Sequence, residues 1–593
     1  MVRFLENKNV EVDYPNYTPS SHARRVLVEG NILAYEEQPQ ELPKRVADAI
    51  FSVERELGIQ AKDTQKIAEE FLEYFTDGYL IPGTPLLTNA GRQDTALSSC
   101  AIIPINLRAV NKKTREDICA YYQQNMGLGF NFTPYNNPIE LLQWINDLSI
   151  EETATKTYDR YIGNMGLLHI THPKIQDFIQ LKRQREIRHF NISVDITSDF
   201  MGKAAHNETF QLTDGTWLSA AELLQQIADN AWYNGDPGLV SLERMNQDNP
   251  LTKGSAYTAT PPCAEMGLAE GETCHFGYIN LRKLVKRSGN QAEVDYDKLK
   301  RVTQVLTRAL DNAVEYSIPR YPTQISSEIT KEHRKLGIGV CGLADMLLAF
   351  HLPYDSQGAR TLTRDILSFI NYTSKWASVD LAFGRGACLA MKEPADNKYL
   401  SGTFLEDKYG QSSTNTVTIA EWKKLANKIR DTGNLRNIST TALPPTGRSS
   451  ILLNTTSSIE PFFSIFDHTG NISQTIREFL YQSLDSNTGR VEEICVKAAQ
   501  TMSFQNCSEL PQSLRSCLKT ARELTPQAHI QMVAALAGVH GVVDESASKT
   551  INLSYTTTVD EVKEILFRSY EMGLKNISLY RDRTNSEQPI SLS

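Results

Sequence analysis

Long apolar runs and cysteine are both scarce in this chain of 593 residues. It contains no stretch of about 18 apolar residues, so no membrane-spanning helix is expected. The N-terminus, MVRFLENK, lacks the apolar core of a signal peptide, which favours a cytoplasmic protein. Nine cysteines are few and odd in number. This suits a reducing cytosol, where paired cysteines are more often catalytic than structural.

The charge balance is slightly acidic. The chain has 61 basic and 70 acidic residues and a formal net charge of −9. This argues against a general nucleic-acid coat protein but is compatible with a local phosphate pocket. Apolar residues make up 40% and charged residues 22%, which is ordinary for a folded protein. We therefore expect a globular protein that binds neither membranes nor long nucleic acids.

The hydrophobic pattern changes about 80 residues into the chain. Residues 41–79 carry apolar side chains at helical spacing, and IPGTP (81–85) then breaks the pattern. Beyond it, short β-branched runs such as NISV (191–194) and ISLY (577–580) alternate with amphipathic segments, which favours an α/β fold. The predicted organisation is an N-terminal helical segment (1–79), a catalytic α/β domain (80–583) and a flexible tail (584–593).

Three cysteines stand out from the rest. PPCAE (261–265) sets a cysteine two residues from a glutamate, and ETCHFGYINL (272–281) carries a second cysteine. A third, in LSSC (97–100), could form a dithiol with Cys274. A thiol beside a carboxylate suits radical or acid–base chemistry. A cysteine near a glutamate is by itself more often a core residue. The remaining cysteines have no metal-like spacing and are expected to be buried: Cys119, Cys341, Cys388, Cys495, Cys507 and Cys517.

These segments belong to a longer series of motifs covering residues 80–583. In their order along the chain, they resemble the catalytic subunit of ribonucleotide reductase, and most of all its adenosylcobalamin-dependent class II. The other motifs are IPGTP (81–85), NAG (89–91), GLGFNF (127–132), NMG (164–166), NISV (191–194), GIGV (337–340), GLAD (342–345), PTG (445–447), SSIEP (457–461), SKTINL (548–553) and LYRD (579–582).

The resemblance implies a ten-stranded α/β barrel with the radical cysteine on a finger loop inside it. It implies that Cys263 forms a thiyl radical, that Glu265 takes the proton of the substrate 3′-hydroxyl, and that Cys100 and Cys274 close to a disulfide. A radical at C3′ makes loss of water from C2′ easy, and the dithiol then supplies the electrons. The expected reaction is reduction of ribonucleotides to 2′-deoxyribonucleotides.

The resemblance also implies a binding site for the substrate phosphates. Thr84 and Ser99 match hydroxyl residues close to the phosphates, and residues 445–449 match the loop that surrounds them. Arg448 stands where the family has a small polar residue, so an inward and a surface position are equally expected. The implied substrate-binding residues are Thr84, Ser99, Pro445, Thr446, Gly447, Arg448 and Ser449.

Cofactor and partners follow from the same resemblance. Adenosylcobalamin is the expected cofactor, and no bound metal is predicted. A di-iron protein would need several Glu-x-x-His helices, and this chain has one such spacing, at Glu186 and His189. No cysteine follows Cys517. The expected reductant is therefore a thioredoxin-like protein or a small dithiol. A homodimer is expected as well.

Several departures from the family pattern leave two alternatives open. Pro261 replaces an asparagine, and proline offers neither an amide side chain nor a backbone N–H. The acidic effector residue expected in 106–108 is missing, and the basic Gly-rich loop reads KTYDRY (156–161). One alternative is a divergent radical enzyme with another nucleotide or product. The other is a non-catalytic nucleotide-binding paralogue.

Overall fold

A computed structural model describes residues 19–582 and 584, except 105, 108–109, 156–160, 253, 289–290, 413 and 485–486. The predicted tail thus lies outside the described residues apart from Thr584, and so does most of the loop 156–161. Within the described ranges, no helix is long and apolar enough to cross a membrane.

Helices surround a central sheet and also precede it in the chain. Their bounds are α1 Ser21–Glu29, α2 Leu42–Phe51, α3 Ala61–Thr76, α4 Thr84–Asn89, α5 Lys112–Gln123, α6 Pro138–Ala154, α7 Ile175–Gln184, α8 Ser198–Ala205, α9 Ala220–Asn234, α10 Leu242–Gln247, α11 Tyr296–Ser317, α12 Gln324–His333, α13 Leu343–Ala349, α14 Gln357–Arg385, α15 Lys398–Ser401, α16 Phe404–Gly410, α17 Ile419–Thr432, α18 Gly447–Leu452, α19 Gln474–Ser483, α20 Thr488–Thr501, α21 Gln512–Cys517, α22 Pro526–Ala537 and α23 Val559–Glu571.

The strands are short, and most of them belong to one ten-stranded sheet. Two small hairpins, β6–β7 and β10–β11, stand apart from it. The bounds are β1 Leu80–Pro82, β2 Cys100–Ile102, β3 Gly127–Asn131, β4 Asn164–His169, β5 Phe190–Asp195, β6 Thr209–Gln211, β7 Trp217–Ser219, β8 Gly238–Val240, β9 Thr273–Asn280, β10 Val285–Ser288, β11 Gln291–Val294, β12 Leu336–Cys341, β13 Thr550–Leu553 and β14 Asn576–Arg581.

The sheet consists of two mainly parallel halves that meet in antiparallel joints, and β1 is added to the second half by antiparallel pairing with β9. In the first half β2, β3, β4, β5 and β8 are parallel neighbours. In the second half β9 pairs with β12 and β13 pairs with β14, again in parallel. The joints are antiparallel, between β2 and β9 and between β8 and β14.

A single extended segment closes the second half, and with it the barrel. Thr441 bridges to Ile338 on β12, and Leu443 bridges to Ala547 just before β13. Hydrogen bonds from the Leu443 N–H to the Ser546 carbonyl and from the Ser548 N–H to the Leu443 carbonyl complete this link. The ten-stranded α/β barrel predicted from the sequence is therefore confirmed.

Local sequence signals agree with this architecture. The sequence has the Thr-x-x-Glu spacing of a capping box at 418–421 and 558–561, and both boxes form, with the Thr418 and Thr558 hydroxyls accepting from the N–H of Glu421 and Glu561. Strand β12 is buried along its whole length, as expected of a parallel strand covered on both faces. The six cysteines predicted to be core residues are all buried. Helices α2 and α3 pack against α11, outside the barrel.

Candidate active site

Two of the predicted cysteines face each other across the joint between the barrel halves. Cys100 begins β2 and Cys274 is the second residue of β9, and the two are antiparallel register partners. The Cys274 thiol lies 3.8 Å from the Cys100 carbonyl oxygen. Directly opposed residues of an antiparallel pair have a Cα separation that a disulfide can span. The strand register therefore brings the predicted dithiol together.

Both cysteines of this pair are shielded from water. Cys100 is 4% exposed and Cys274 is fully buried. Burial raises the pKa of the Cys274 thiol well above its ordinary value, and its contacts with Cys100 and the Glu265 charge raise that pKa further. Cys274 therefore stays protonated at neutral pH, so it can deliver a proton along with its electron.

The third cysteine lies on a loop that enters the barrel. We call residues 249–272, between α10 and β9, the finger loop. Its tip is a turn over 261–264, closed by a hydrogen bond of 3.0 Å from the Ala264 N–H to the Pro261 carbonyl. Cys263 is partly exposed at this turn, whereas Pro261 is buried. Ala264 has a φ of +56°, a backbone conformation that is uncommon for residues other than glycine.

Strand β3 makes room for the tip with two glycines. A Cβ at Gly127 would lie 2.9 Å from Pro262 Cγ and 3.2 Å from Cys100 Sγ. A Cβ at Gly129 would lie 2.3 Å from the Thr260 carbonyl oxygen. Neither position leaves room for a side chain, so the loop tip can lie directly against β3, next to Cys100 on β2.

Two of the thiols and the carboxylate open onto one cavity of about 420 Å³. Cys100, Cys263 and the buried Glu265 line it, whereas Cys274, the register partner of Cys100, does not. Of the predicted substrate-binding residues, the lining includes Thr84, Ser99, Pro445, Thr446, Gly447 and Arg448. Ser449 does not line the cavity and instead donates a hydrogen bond of 3.4 Å to the Pro82 carbonyl.

The loop 445–449 is fixed by neighbouring strands and loops. The Tyr278 hydroxyl donates to the Pro445 carbonyl at 3.2 Å. The Thr446 hydroxyl accepts from the Ser458 N–H at 2.9 Å. Arg448 is half-buried and lines the cavity, and its guanidinium lies close to Gly30, where an added Cβ would be 2.9 Å from Nη1. Its role toward the phosphates stays a prediction.

Some cavity residues were absent from the set predicted from sequence. Phe276 and Tyr278 line the cavity because side chains on a strand alternate, so they share a face with Cys274. That alternation was visible in TCHFGYIN. Tyr161 stacks on His189 with 4.7 Å between the ring centroids. No local sequence pattern predicts this contact. The cavity residues missed are Pro85, Tyr161, Gly163, Asn164, Arg188, His189, Phe190, Asn191, Pro262, Phe276, Tyr278 and Pro444.

A second cavity, of about 450 Å³, also reaches Cys263 and Pro262. Its walls include Asn552, Ser578 and Tyr580. The Tyr580 hydroxyl is buried and has no hydrogen-bond partner among the described residues. Over the same residues, no group of three or more His, Cys, Asp or Glu side chains is arranged to hold a metal ion. Cys263 is thus accessible from two separate cavities.

Comparison with protein families shows to which family the chain belongs. The model described as "Ribonucleotide reductase, barrel domain" matches residues 98–580, most of the chain. The chain belongs to the ribonucleotide reductase family. A second model of that family, described as its all-alpha domain, matches residues 18–95. The predicted division at residues 79 and 80 stays a prediction.

Curated relatives of this ribonucleotide reductase include enzymes from an archaeon and a bacterium. The "Vitamin B12-dependent ribonucleoside-diphosphate reductase" of Thermoplasma acidophilum is 28% identical over 561 residues, covering 90% of this chain and 68% of the relative. The protein of the same name from Mycobacterium tuberculosis is 28% identical over 582 residues, covering 94% of this chain and 77% of the relative.

A solved structure supports the fold of this reductase. The "Actinobacillus ureae class Id ribonucleotide reductase alpha subunit" matches with a TM-score of 0.72 over 96% of this chain and 98% of that chain. The two sequences are 18% identical, so the match bears on the fold.

Proposed function

We propose that this chain is the catalytic subunit of an adenosylcobalamin-dependent ribonucleotide reductase in which Cys263 carries the radical. The observation that carries the proposal is the convergence on one cavity of Cys263, Glu265 and Cys100, with Cys274 opposite Cys100 on β9. The family has this residue set in its active site. The curated relatives support the class, because their names include vitamin B12.

The proposed reaction starts at C3′ of the ribose. The Cys263 thiyl takes the 3′-hydrogen atom, so a C–H bond breaks and an S–H bond forms. Glu265 accepts the proton of the 3′-hydroxyl, in the manner of a general base. The 2′-hydroxyl then leaves as water with a proton from the dithiol.

The dithiol completes the electron balance. Cys100 and Cys274 together give two electrons and two protons, and their sulfurs join in a disulfide. One proton leaves in the water, the other completes the new C2′–H bond, and Glu265 returns its proton to the 3′-oxygen. Cys263 returns its hydrogen atom to C3′ and is again a thiyl. The net change is ribonucleotide plus dithiol to 2′-deoxyribonucleotide plus disulfide plus water. The burial of Cys274, which keeps its thiol protonated, supports this role.

The second cavity fits the cofactor. Its volume suits a nucleoside, and the buried Tyr580 hydroxyl offers a polar contact that no described residue takes up. Residues Asn552, Ser578 and Tyr580 would hold the nucleoside end of adenosylcobalamin. When bound, adenosylcobalamin supplies the radical that Cys263 receives. Cys263 would meet substrate in one cavity and cofactor in the other.

The substrate proposed is a ribonucleoside diphosphate, which the names of both relatives include. Thr84, Ser99 and the loop 445–448 line the same cavity as the thiols. Arg448 adds positive charge there, and arginine pairs well with phosphate oxygens. We also propose a homodimer and a thioredoxin-like or small dithiol reductant. Cys100 lines the cavity, which is the access that thiol–disulfide exchange requires.

Product analysis tests the proposal. The purified chain is incubated with adenosylcobalamin, dithiothreitol and each ribonucleotide in turn, and products are identified by mass spectrometry. The expected product is a 2′-deoxyribonucleotide. A different product would support the divergent radical enzyme, which the replacement at Pro261 keeps in consideration. No product with any nucleotide would refute the cofactor assignment and favour a non-catalytic role.

A further inference from the structure

The finger loop is held near its tip by hydrogen bonds to four of its backbone carbonyls. These contacts come from separate parts of the barrel, so the tip is fixed by long-range packing. The donors and carbonyls are Asn191 Nδ2 to Pro262 at 2.9 Å, Asn576 Nδ2 to Ala264, the Ser546 N–H to Glu265 at 3.0 Å, and Lys335 Nζ to Gly267 at 3.1 Å.

Lys335 differs from the other donors because it is a buried cation. It lies between α12 and β12 and is 2% exposed. Its Nζ is 3.4 Å from Glu272 Oε2 and 3.5 Å from Glu545 Oε1. A lysine this deep needs such partners, because a buried ammonium without them is strongly unfavourable.

Glu272 and Glu545 belong to a larger set of charged residues, which we call the buried ionic chain. Five of its links are ion pairs, and in the other two Lys575 and Lys408 donate to the backbone carbonyls of Glu545 and Asp544. The buried ionic chain alternates four lysines with four carboxylates, so its charges balance. Burial opposes ionisation of Glu272, yet Lys335 and His333 outweigh it and hold the pKa of Glu272 below its ordinary value. In order of contact, the members are Glu272, Lys335, Glu545, Lys575, Asp248, Lys408, Asp544 and Lys375.

One aromatic ring joins Lys335 to the loop. The Lys335 Nζ lies 3.8 Å from the centroid of the Tyr257 ring, which is a cation–π contact. The Tyr257 hydroxyl donates to Glu545 Oε1 at 3.3 Å. A Cβ at Gly267 would lie 2.1 Å from Tyr257 Cδ2, so the ring packs directly on the Gly267 backbone. Lys335, Tyr257 and Gly267 thus form one packed unit behind the tip.

We propose that Lys335 is a positioning residue for the radical loop, which acts through this unit by fixing the Gly267 carbonyl. Gly267 is two residues from Glu265 and four from Cys263, so a shift at Gly267 moves both groups toward or away from the substrate. A misplacement of about 1 Å at a reacting centre can lower a rate roughly a hundredfold. The inference rests on the proposed roles of Cys263 and Glu265.

The opposite end of the ionic chain provides a matched control. Lys375 is fully buried and pairs with Asp544 at 2.8 Å. The hydrogen bonds of its Nζ go to Asp544 and Tyr399, neither of which belongs to the finger loop. Lys335→Met and Lys375→Met each remove one buried charge from the buried ionic chain, but only the first removes a direct hydrogen bond to the finger loop.

The test compares these two variants in the full-length protein. Turnover is measured with adenosylcobalamin, dithiothreitol and ribonucleotide, to give kcat and KM. The rate at which iodoacetamide alkylates Cys263 is measured by peptide mass spectrometry without cofactor or substrate. Thermal unfolding of both variants measures how much stability each one loses when its buried charge is removed.

Lys335→Met is expected to lower kcat roughly a hundredfold with KM within about threefold, because the loop rather than the phosphate site has moved. The rate at which Cys263 is alkylated should differ about fivefold or more from that of the unsubstituted protein, since the exposure of Cys263 depends on the position of the loop. Lys375→Met should leave the alkylation rate of Cys263 and kcat within about threefold of the values for the unsubstituted protein, because its effect is confined to stability.

Equal effects of both variants on kcat and alkylation would overturn the proposal and leave Lys335 a structural residue. If Lys335→Met does not fold, Gly267→Ala tests the same unit with every charge retained, and unchanged kcat and alkylation there would refute it. Turnover by Cys263→Ala would instead contradict the proposed function, while the alkylation rate still reports whether Lys335 sets the position of Cys263.

Discussion

The sheet and the finger loop hold their cysteines in different ways. Cys100 and Cys274 are register partners on β2 and β9, so backbone pairing alone brings them together. Cys263 lies on a turn whose hydrogen bonds reach as far as Asn576, from which Ala264 is separated by more than 300 residues in sequence. The dithiol therefore depends on the register of one strand pair, whereas the radical cysteine is positioned by contacts from several parts of the barrel.

Removal of the loop thiol should have the largest effect. Cys263→Ala is expected to abolish deoxynucleotide formation, because no other described thiol lines both cavities. Product analysis by mass spectrometry measures this. Cys388→Ala, at a buried cysteine in a separate core cluster, is the control and should keep turnover. Residual turnover in Cys263→Ala would contradict the assignment of the radical to the loop.

Removal of either strand thiol should separate the two chemical steps. Cys100→Ser or Cys274→Ser should stop net reduction but still allow Cys263 to take the 3′-hydrogen. A substrate labelled with tritium at C3′ should therefore lose label to water, since a Cys263 S–H exchanges with solvent. Normal deoxynucleotide yield in either variant would refute its role as reductant.

Pro261→Asn changes the loop at the start of its tip. Asparagine keeps the carbonyl that accepts from Ala264 and adds an amide close in sequence to Glu265. A well-placed buried hydrogen bond contributes about 1–3 kcal/mol, which corresponds to roughly a ten- to hundredfold gain in rate. The rate of deoxynucleotide formation is expected to rise by this factor. A fall in the enzyme's native activity would instead indicate a pocket adapted to another reaction.

Alkylation of the reduced protein should distinguish the two regions without catalysis. Cys263 is partly exposed, whereas Cys274 is fully buried with a raised thiol pKa. Iodoacetamide at pH 8 should modify Cys263 at least about tenfold faster than Cys274, because the thiolate is the reacting form. Since the pKa of Cys274 is raised, its rate should still be increasing above pH 9. Equal rates would mean that the strand pair is open to solvent.

The sequence predicted features that depend on neighbouring residues. The helix starts at Thr418 and Thr558 follow from capping boxes. Phe276 and Tyr278 were not predicted, although the alternation along TCHFGYIN could have indicated them. The tip contacts could not be predicted in this way, because Lys335 and Asn576 reach the loop only once the barrel has closed. The orientation of the Arg448 side chain could not be predicted from the sequence for the same reason.

The joint between β2 and β9 also affects the stability of the whole chain. Cys100 and Cys274 are separated by 174 positions, so a bond between them closes a very long covalent loop. Restricting the unfolded chain by a loop of that size stabilises the folded state by roughly 5 kcal/mol in the chain-entropy model. The oxidised enzyme should accordingly melt at a higher temperature than the dithiol form. Each catalytic cycle would thus add a cross-link between the barrel halves and then remove it.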